Sequence, residues 1–98
     1  MRETELTAAI MELAEELGVL AHHCQDSRHC TGPKGFVDVP LVGSKGVVWV
    51  EAKNDYGDTS AEQDLWRWNL HKAGQHWMLL RPRHLADGTV RSVLERIA

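Results

Sequence analysis

Residues 35–53 read Gly-Phe-Val-Asp-Val-Pro-Leu-Val-Gly-Ser-Lys-Gly-Val-Val-Trp-Val-Glu-Ala-Lys, and the fold is decided here. Two apolar, β-branched runs, residues 36–42 and 47–52, flank the turn Gly43-Ser44-Lys45-Gly46, which is the pattern of an antiparallel hairpin. The second strand has the composition of a buried one, yet it ends in Glu51 and then Lys53, and its partner carries Asp38. Charged groups seldom go under cover without a task. Side chains alternate along a strand, so Glu51 and Lys53 share a face, and Asp38 can bring a second carboxylate to the same end of the sheet.

Upstream, Leu6, Ala9, Ile10, Leu13, Ala14 and Leu17 recur at three- and four-residue spacing, which predicts an amphipathic helix over residues 3–17 stopped by Gly18. Residues 19–23 follow as a short strand. Residues 24–35 are polar with Gly-Pro and Lys-Gly breaks, the mark of an exposed loop. Downstream, Thr59 or Ser60 caps a second helix, and Thr59 with Glu62 has the form of a capping box. That helix runs through Leu65, Trp66, Trp68, Asn69 and Lys72 to Ala73-Gly74. Residues 75–81 form an apolar strand closed by Pro82, and residues 90–97 a terminal helix with Val90, Val93, Leu94 and Ile97 inward. The order α-β-β-β-α-β-α is that of one α/β domain over residues 1–98. Trp49 and Trp77 are expected in the core. Trp66 and Trp68, two apart on a helix, cannot share a face, so one packs inside and the other is available to a partner chain or a DNA base.

The composition, 43% hydrophobic and 26% charged over 98 residues, is that of an ordinary globular domain. No apolar run approaches the roughly 20 residues that span a bilayer, and Met-Arg-Glu-Thr-Glu lacks the apolar core of a signal peptide, so a cytoplasmic location is expected. The net charge of −3 conceals an uneven distribution: residues 1–26 hold six acids and one base, residues 27–53 four bases and two acids. An acidic centre beside a basic rim is compatible with DNA as partner. Cys24 and Cys30, with His22, His23 and His29, have the residue types of a zinc site, but their spacing fits no familiar knuckle, and a polar loop with incidental His and Cys is the alternative.

Phosphodiester cleavage needs a hard divalent cation to polarise the phosphate and acidify a water. Mg²⁺ takes carboxylate and carbonyl oxygens at roughly 2.1 Å. Asp38 and Glu51 suit that task, and Lys53 is placed to orient the water or stabilise the leaving oxygen. The same three residues are also the pattern of an ordinary cross-strand ion pair, worth about 0.2–1 kcal/mol.

In ordered pieces along nearly the whole chain, the sequence resembles the VRR-NUC nucleases, a branch of the PD-(D/E)XK superfamily, and in particular their small stand-alone members from bacteriophages and prophages. The pieces are Glu3-x-x-Leu6; Leu17-Gly18 then His23-x-x-Asp26-Ser27-Arg28; Gly35-Phe36-Val37-Asp38; Glu51-Ala52-Lys53; Thr59-Ser60-Ala61-Glu62-Gln63-x-x-Trp66; and Ala73-Gly74 leading to Leu80-Arg81-Pro82. The resemblance implies a restriction-endonuclease-like mixed central sheet flanked by helices. It implies that Asp38, Glu51 and the Ala52 carbonyl hold Mg²⁺ or Mn²⁺, that Lys53 assists the attacking water, and that Gln63 supports the phosphate or water. It also implies that a first-helix Glu reaches the metal directly or through water; Glu3 matches best and Glu5, two residues on, is the fallback. At 100° per residue the two point about 200° apart, so only one faces the site. The family usually has Pro where this chain has Val37, a position that shapes the strand entrance and supplies no ligand.

The function expected from this resemblance is metal-dependent cleavage of DNA, selective for branched substrates as in Holliday-junction resolvases, by a homodimer. Alternatives are a flap or duplex nuclease acting in a larger complex, or a DNA-binding module whose nuclease site no longer works. Ser27, Arg28, Lys34, Arg81 and Arg83 are candidates for phosphate contacts.

Overall fold

A computed structural model describes residues 1–23 and 31–98. Helix α1 (Glu3–Glu16) leads into β1 (Leu20–Ala21), β2 (Val39–Gly43) and β3 (Gly46–Ala52); then come α2 (Ala61–Lys72), β4 (His76–Leu80), α3 (Arg83–Ala86) and α4 (Thr89–Ile97). The four strands form one sheet in the order β1-β2-β3-β4. The pairs β1–β2 and β2–β3 are antiparallel, while β4 returns parallel to β3 after the α2 crossover, so the sheet is mixed. Among the described residues no helix is long and apolar enough to cross a membrane.

Strand alternation divides the sheet into two unlike faces. Val39, Leu41, Val48, Val50, Ala52 and Leu80 point one way and join Leu6, Ile10 and Ala14 of α1 and Val90, Val93, Leu94 and Ile97 of α4 in a single core. The apolar stripes expected on both helices are therefore what is buried. α1 ends where Gly18 takes a φ of +74°, a value that Gly adopts at little cost. On the other face lie Val47, Trp49 and Glu51, served by α2, which has no buried residue.

That division corrects one expectation: Trp49 and Trp77 are half-buried on the second face, outside the core cluster. Of the helical pair, Trp66 packs inward, its ring edge-on to Phe36 at 4.9 Å and its Nε1 donating to the carbonyls of Pro33 and Lys34, while Trp68 remains 56% exposed. The first strand is shorter than predicted, and β2 starts three residues late, leaving Asp38 in the segment just before it. Gly35, at a φ of +92°, lies against α2 so tightly that a Cβ would stand 2.3 Å from the Glu62 carbonyl carbon. Of the two cap candidates Ser60 is the one used, and the box is Ser60 with Gln63 instead of Thr59 with Glu62. The short α3 has no counterpart among the predicted elements; it is one turn after Pro82, closed by the Arg81 N–H donating to His84 Nδ1 at 2.8 Å.

Candidate active site

The hairpin's register and the cap of α2 build the site together. Glu51 is the penultimate residue of β3 and is 1% exposed although its side chain lies on the sheet's second face. Its Oε1 accepts from Gln63 Nε2 at 2.9 Å. The same Gln63 accepts the Ser60 N–H through its own Oε1, at 2.9 Å, and its backbone N–H donates to Ser60 Oγ. One side chain thus ties the first turn of α2 to the carboxylate. Asp38 is fixed from the opposite strand: its Oδ2 accepts the Ala52 N–H at 2.9 Å, and its carbonyl bonds His23 Nδ1 at 3.0 Å.

Glu51 Oε2 is buried with no hydrogen-bond donor. A carboxylate in that position is costly to ionise, and the Glu51 pKa is pushed up to about 9. Burial is the largest cause; Asp38 adds to it, as an acceptor for the retained proton and as a second negative charge, and Glu3 contributes a weaker repulsion. Lys53 acts in the opposite direction, its positive charge favouring ionised Glu51. Asp38, Glu51 and Lys53 therefore share one electrostatic neighbourhood. The β3 ladder ends at Ala52, and the Lys53 N–H continues it by donating to the Leu80 carbonyl at 3.1 Å.

The two first-turn acids part company. Glu5 accepts from both the backbone and the side chain of Arg2 at 3.1 Å, as part of the α1 cap. Glu3 has the field at Glu51 to itself on that helix, yet among the described residues no three His, Cys, Asp or Glu side chains converge closely enough to hold a metal. Two carboxylates, Asp38 and Glu51, form the cluster, and Glu3 stands outside it. The donor set still fits a hard divalent ion: the neighbouring carboxyls of Glu51 on β3 and of Asp38 just before β2, the first with an orphaned oxygen, at the end of a strand that supplies a backbone carbonyl.

Of the basic candidates, Arg81 is committed to structure. Its Nη1 donates to the carbonyls of Asn54 at 2.7 Å and Gly57 at 2.8 Å, clamping the loop that leaves β3. Lys34 and Arg83 are exposed. Ser27 and Arg28, with Asp26 and the Cys24, His29 and Cys30 of the zinc alternative, lie outside the described residues. The residue to which sequence reasoning gives no part in the site is His23, and it braces the Asp38 backbone; the signal is its position at the end of β1 opposite the start of β2.

An α/β domain with a mixed four-stranded sheet and a carboxylate pair at the end of the central hairpin has a counterpart among solved structures. The chain superposes on a structure described as a VRR_NUC domain with a TM-score of 0.71 and 17% sequence identity, over 98% of this chain and 97% of that one. The fold is that of a VRR_NUC domain. No protein-family model matches the chain, and neither does any curated protein sequence.

Proposed function

We propose that the chain is a metal-dependent DNA endonuclease that hydrolyses phosphodiester bonds and prefers branched DNA. The observation that carries this reading is the buried Glu51 carboxyl, with one oxygen lacking a donor, beside an Asp38 carboxyl held in place by the strand's own N–H. Without a cation the buried Glu51 keeps its proton beside Asp38, whereas a divalent cation would take both groups as carboxylates. Asp38, Glu51 and the Ala52 carbonyl would hold Mg²⁺ or Mn²⁺. When bound, such an ion polarises the phosphate and acidifies a water.

The remaining work falls to this chain's side chains. Gln63 keeps Glu51 Oε1 directed, so the carboxyl does not swing to relieve its burial. The Lys53 ammonium orients the attacking water and offsets charge on the leaving oxygen. Glu3 acts at longer range, through water. Likeness of fold to a VRR_NUC domain supports DNA as the partner. Leu65 and Trp68, three apart on the outer face of α2 and 57% and 56% exposed, support pairing with a second copy. A two-fold dimer then presents two sites to the two strands of a junction.

The test is to incubate wild type and Asp38→Ala with labelled four-way junction, flap and linear duplex, in Mg²⁺, Mn²⁺ or EDTA, and to map products on a denaturing gel. Paired cuts in the junction that need both metal and Asp38 are expected. Cuts in flaps alone replace the junction preference with flap cleavage, and no cutting of any substrate overturns the nuclease reading. Glu51→Ala and Lys53→Ala are expected to abolish cleavage with the fold retained.

A further inference from the structure

A cleft of about 470 Å³ opens between α2 and β4, lined by Asp58, Thr59, Arg67, His76, Trp77 and neighbours on β4. Its floor is aromatic. The Arg67 guanidinium lies 4.8 Å from the Trp77 ring centroid and 5.3 Å from that of Trp68, so a single mobile cation covers the indole face. Behind that cover, Trp77 Nε1 is buried with no acceptor. A buried indole N–H almost always finds a partner, and this one has none, while the ring is covered by a side chain that is otherwise exposed.

The cleft lies on the same face of the sheet as Glu51. In the parallel pairing of β3 and β4, Leu79 stands opposite Glu51 and Trp77 opposite Trp49, all four on one sheet face. Trp77 is therefore two residues, about 7 Å, along β4 from the level of Glu51, a displacement of about two stacked nucleotides. From the other side, Thr59 and Asp58 immediately precede the Ser60 cap that fixes Gln63.

We infer that this cleft is a subsite for an unpaired nucleobase of the DNA, seated on the Trp77 ring beside the carboxylate pair. The inference rests on the nuclease reading and adds to it what the site recognises: a base outside the duplex close to the cut. Every base has a π-face that an indole accepts. Arg67, leaving the ring, is free to pair with a flanking phosphate, while the Asp58 carboxylate accepts from an exocyclic amine. Arg67 and His76 beside the ring suit the phosphates that flank a base, so DNA is the occupant favoured.

The test measures binding and cleavage separately. Binding is followed in EDTA by tryptophan fluorescence and by anisotropy, using labelled duplexes that carry one unpaired adenine, one abasic residue at the same place, or neither. Stacking of one base on an aromatic side chain amounts to roughly fivefold to a hundredfold in affinity. Wild type is expected to prefer the adenine bulge to the abasic one by at least about fivefold, with quenching of indole emission, and Trp77→Leu to lose the preference while keeping its affinity for plain duplex. Equal affinity of wild type for adenine and abasic bulges overturns the subsite without any variant having to fold. If metal-dependent cleavage persists in that case, the nuclease reading stands and the subsite alone is wrong. If Trp77→Leu and Trp68→Ala instead dissociate a dimer in sedimentation and leave the bulge preference intact, the face is a protein contact and the subsite is again refuted.

Discussion

Replacing Glu51 by Gln should invert the usual expectation for an active-site change and stabilise the metal-free protein at neutral and alkaline pH. The Glu51 pKa stands near 9 in the fold against 4.5 for an ordinary carboxyl. Between those values the native chain binds a proton that the unfolded chain has released. Native binding of the extra proton makes stability fall as pH rises, by up to about 1.4 kcal/mol per pH unit. The stabilising difference is fully present below about pH 4.5 and is lost as pH climbs toward 9. From pH 5.5 to 7.5 the loss approaches roughly 3 kcal/mol, a large share of the total for a domain this small, and lowers the melting temperature by roughly 10–20 °C. The amide of Glu51→Gln cannot ionise, and its oxygen still accepts from Gln63. Glu5 and Asp87 are shifted the other way, so their contributions are lost only as pH falls, below this window. The assay is thermal and urea unfolding in EDTA from pH 5 to 9 for both proteins; groups common to the two cancel in the difference. Expected is a wild-type slope that Glu51→Gln removes, with the curves converging near pH 5, and a stabilising response to Mg²⁺ at pH 8 that only wild type shows. Parallel pH profiles for the two proteins would refute the claim that Glu51 carries the buried proton.

Other perturbations probe the scaffold. Gly35→Ala meets both a positive φ and a 2.3 Å approach to the Glu62 carbonyl carbon, so it should lower the melting temperature well beyond Gly74→Ala, where φ is +78° but nothing lies within 4 Å; equal effects in unfolding scans would show that the loop does not depend on that contact. Ser60→Ala should cost about 1 kcal/mol as a lost helix cap, with activity largely kept. Gln63→Ala removes the same box and also the Glu51 donor, so its kcat should fall far more steeply than its KM rises, a split that steady-state kinetics on the cleaved substrate resolves. Arg81→Met should destabilise by about 1–3 kcal/mol by orphaning two carbonyls and leave the salt dependence of DNA binding unchanged, whereas loss of one phosphate contact at Arg83 would lower that slope by about 0.9.

The hairpin was legible because its chemistry is local: a turn of Gly-Ser-Lys-Gly between β-branched runs has few other solutions, and the observed pairing of Gly43 with Gly46 matches it. Helices α1 and α4 were legible because their apolar stripes are what the core takes up. The two Trp strands misled for a physical reason. Periodicity says which residues share a face, but not which face is covered, and here α1 and α4 both pack on the side opposite Trp49 and Trp77. The cap of α2 was open in the sequence between Thr59 and Ser60. Thr59-x-x-Glu62 and Ser60-x-x-Gln63 are both well-formed boxes in sequence, and the choice falls to Ser60 because Gln63 also has a carboxyl to hold, while Thr59 Oγ1 donates to Asp64 at 2.8 Å. Asp38, Glu51 and Lys53 were readable as a group from strand alternation; that Asp38 sits before β2 was not, since an apolar β-branched run does not mark where its ladder begins.

The position of Glu51 within β3 explains how a domain with so little core sustains a destabilising group. Val48, Val50 and Ala52 anchor the strand from below against α1 and α4, and each is nearly or wholly buried. Glu51 sits between two of those anchors and points the other way. A shift of register by one residue would turn its carboxyl into the core among Leu6, Ile10 and Leu94, beyond reach of either a cation or DNA, and would bring Val50 out to the site. The strand is thus held by one face so that the other can carry charge. Because α2 buries none of its own residues, it contributes little to that anchoring and reaches the Glu51 carboxyl through Gln63. Stability and reactivity are separated across the thickness of a single strand, which is why substitutions at Glu51 and Gln63 are expected to alter chemistry and pH response while leaving the fold in place.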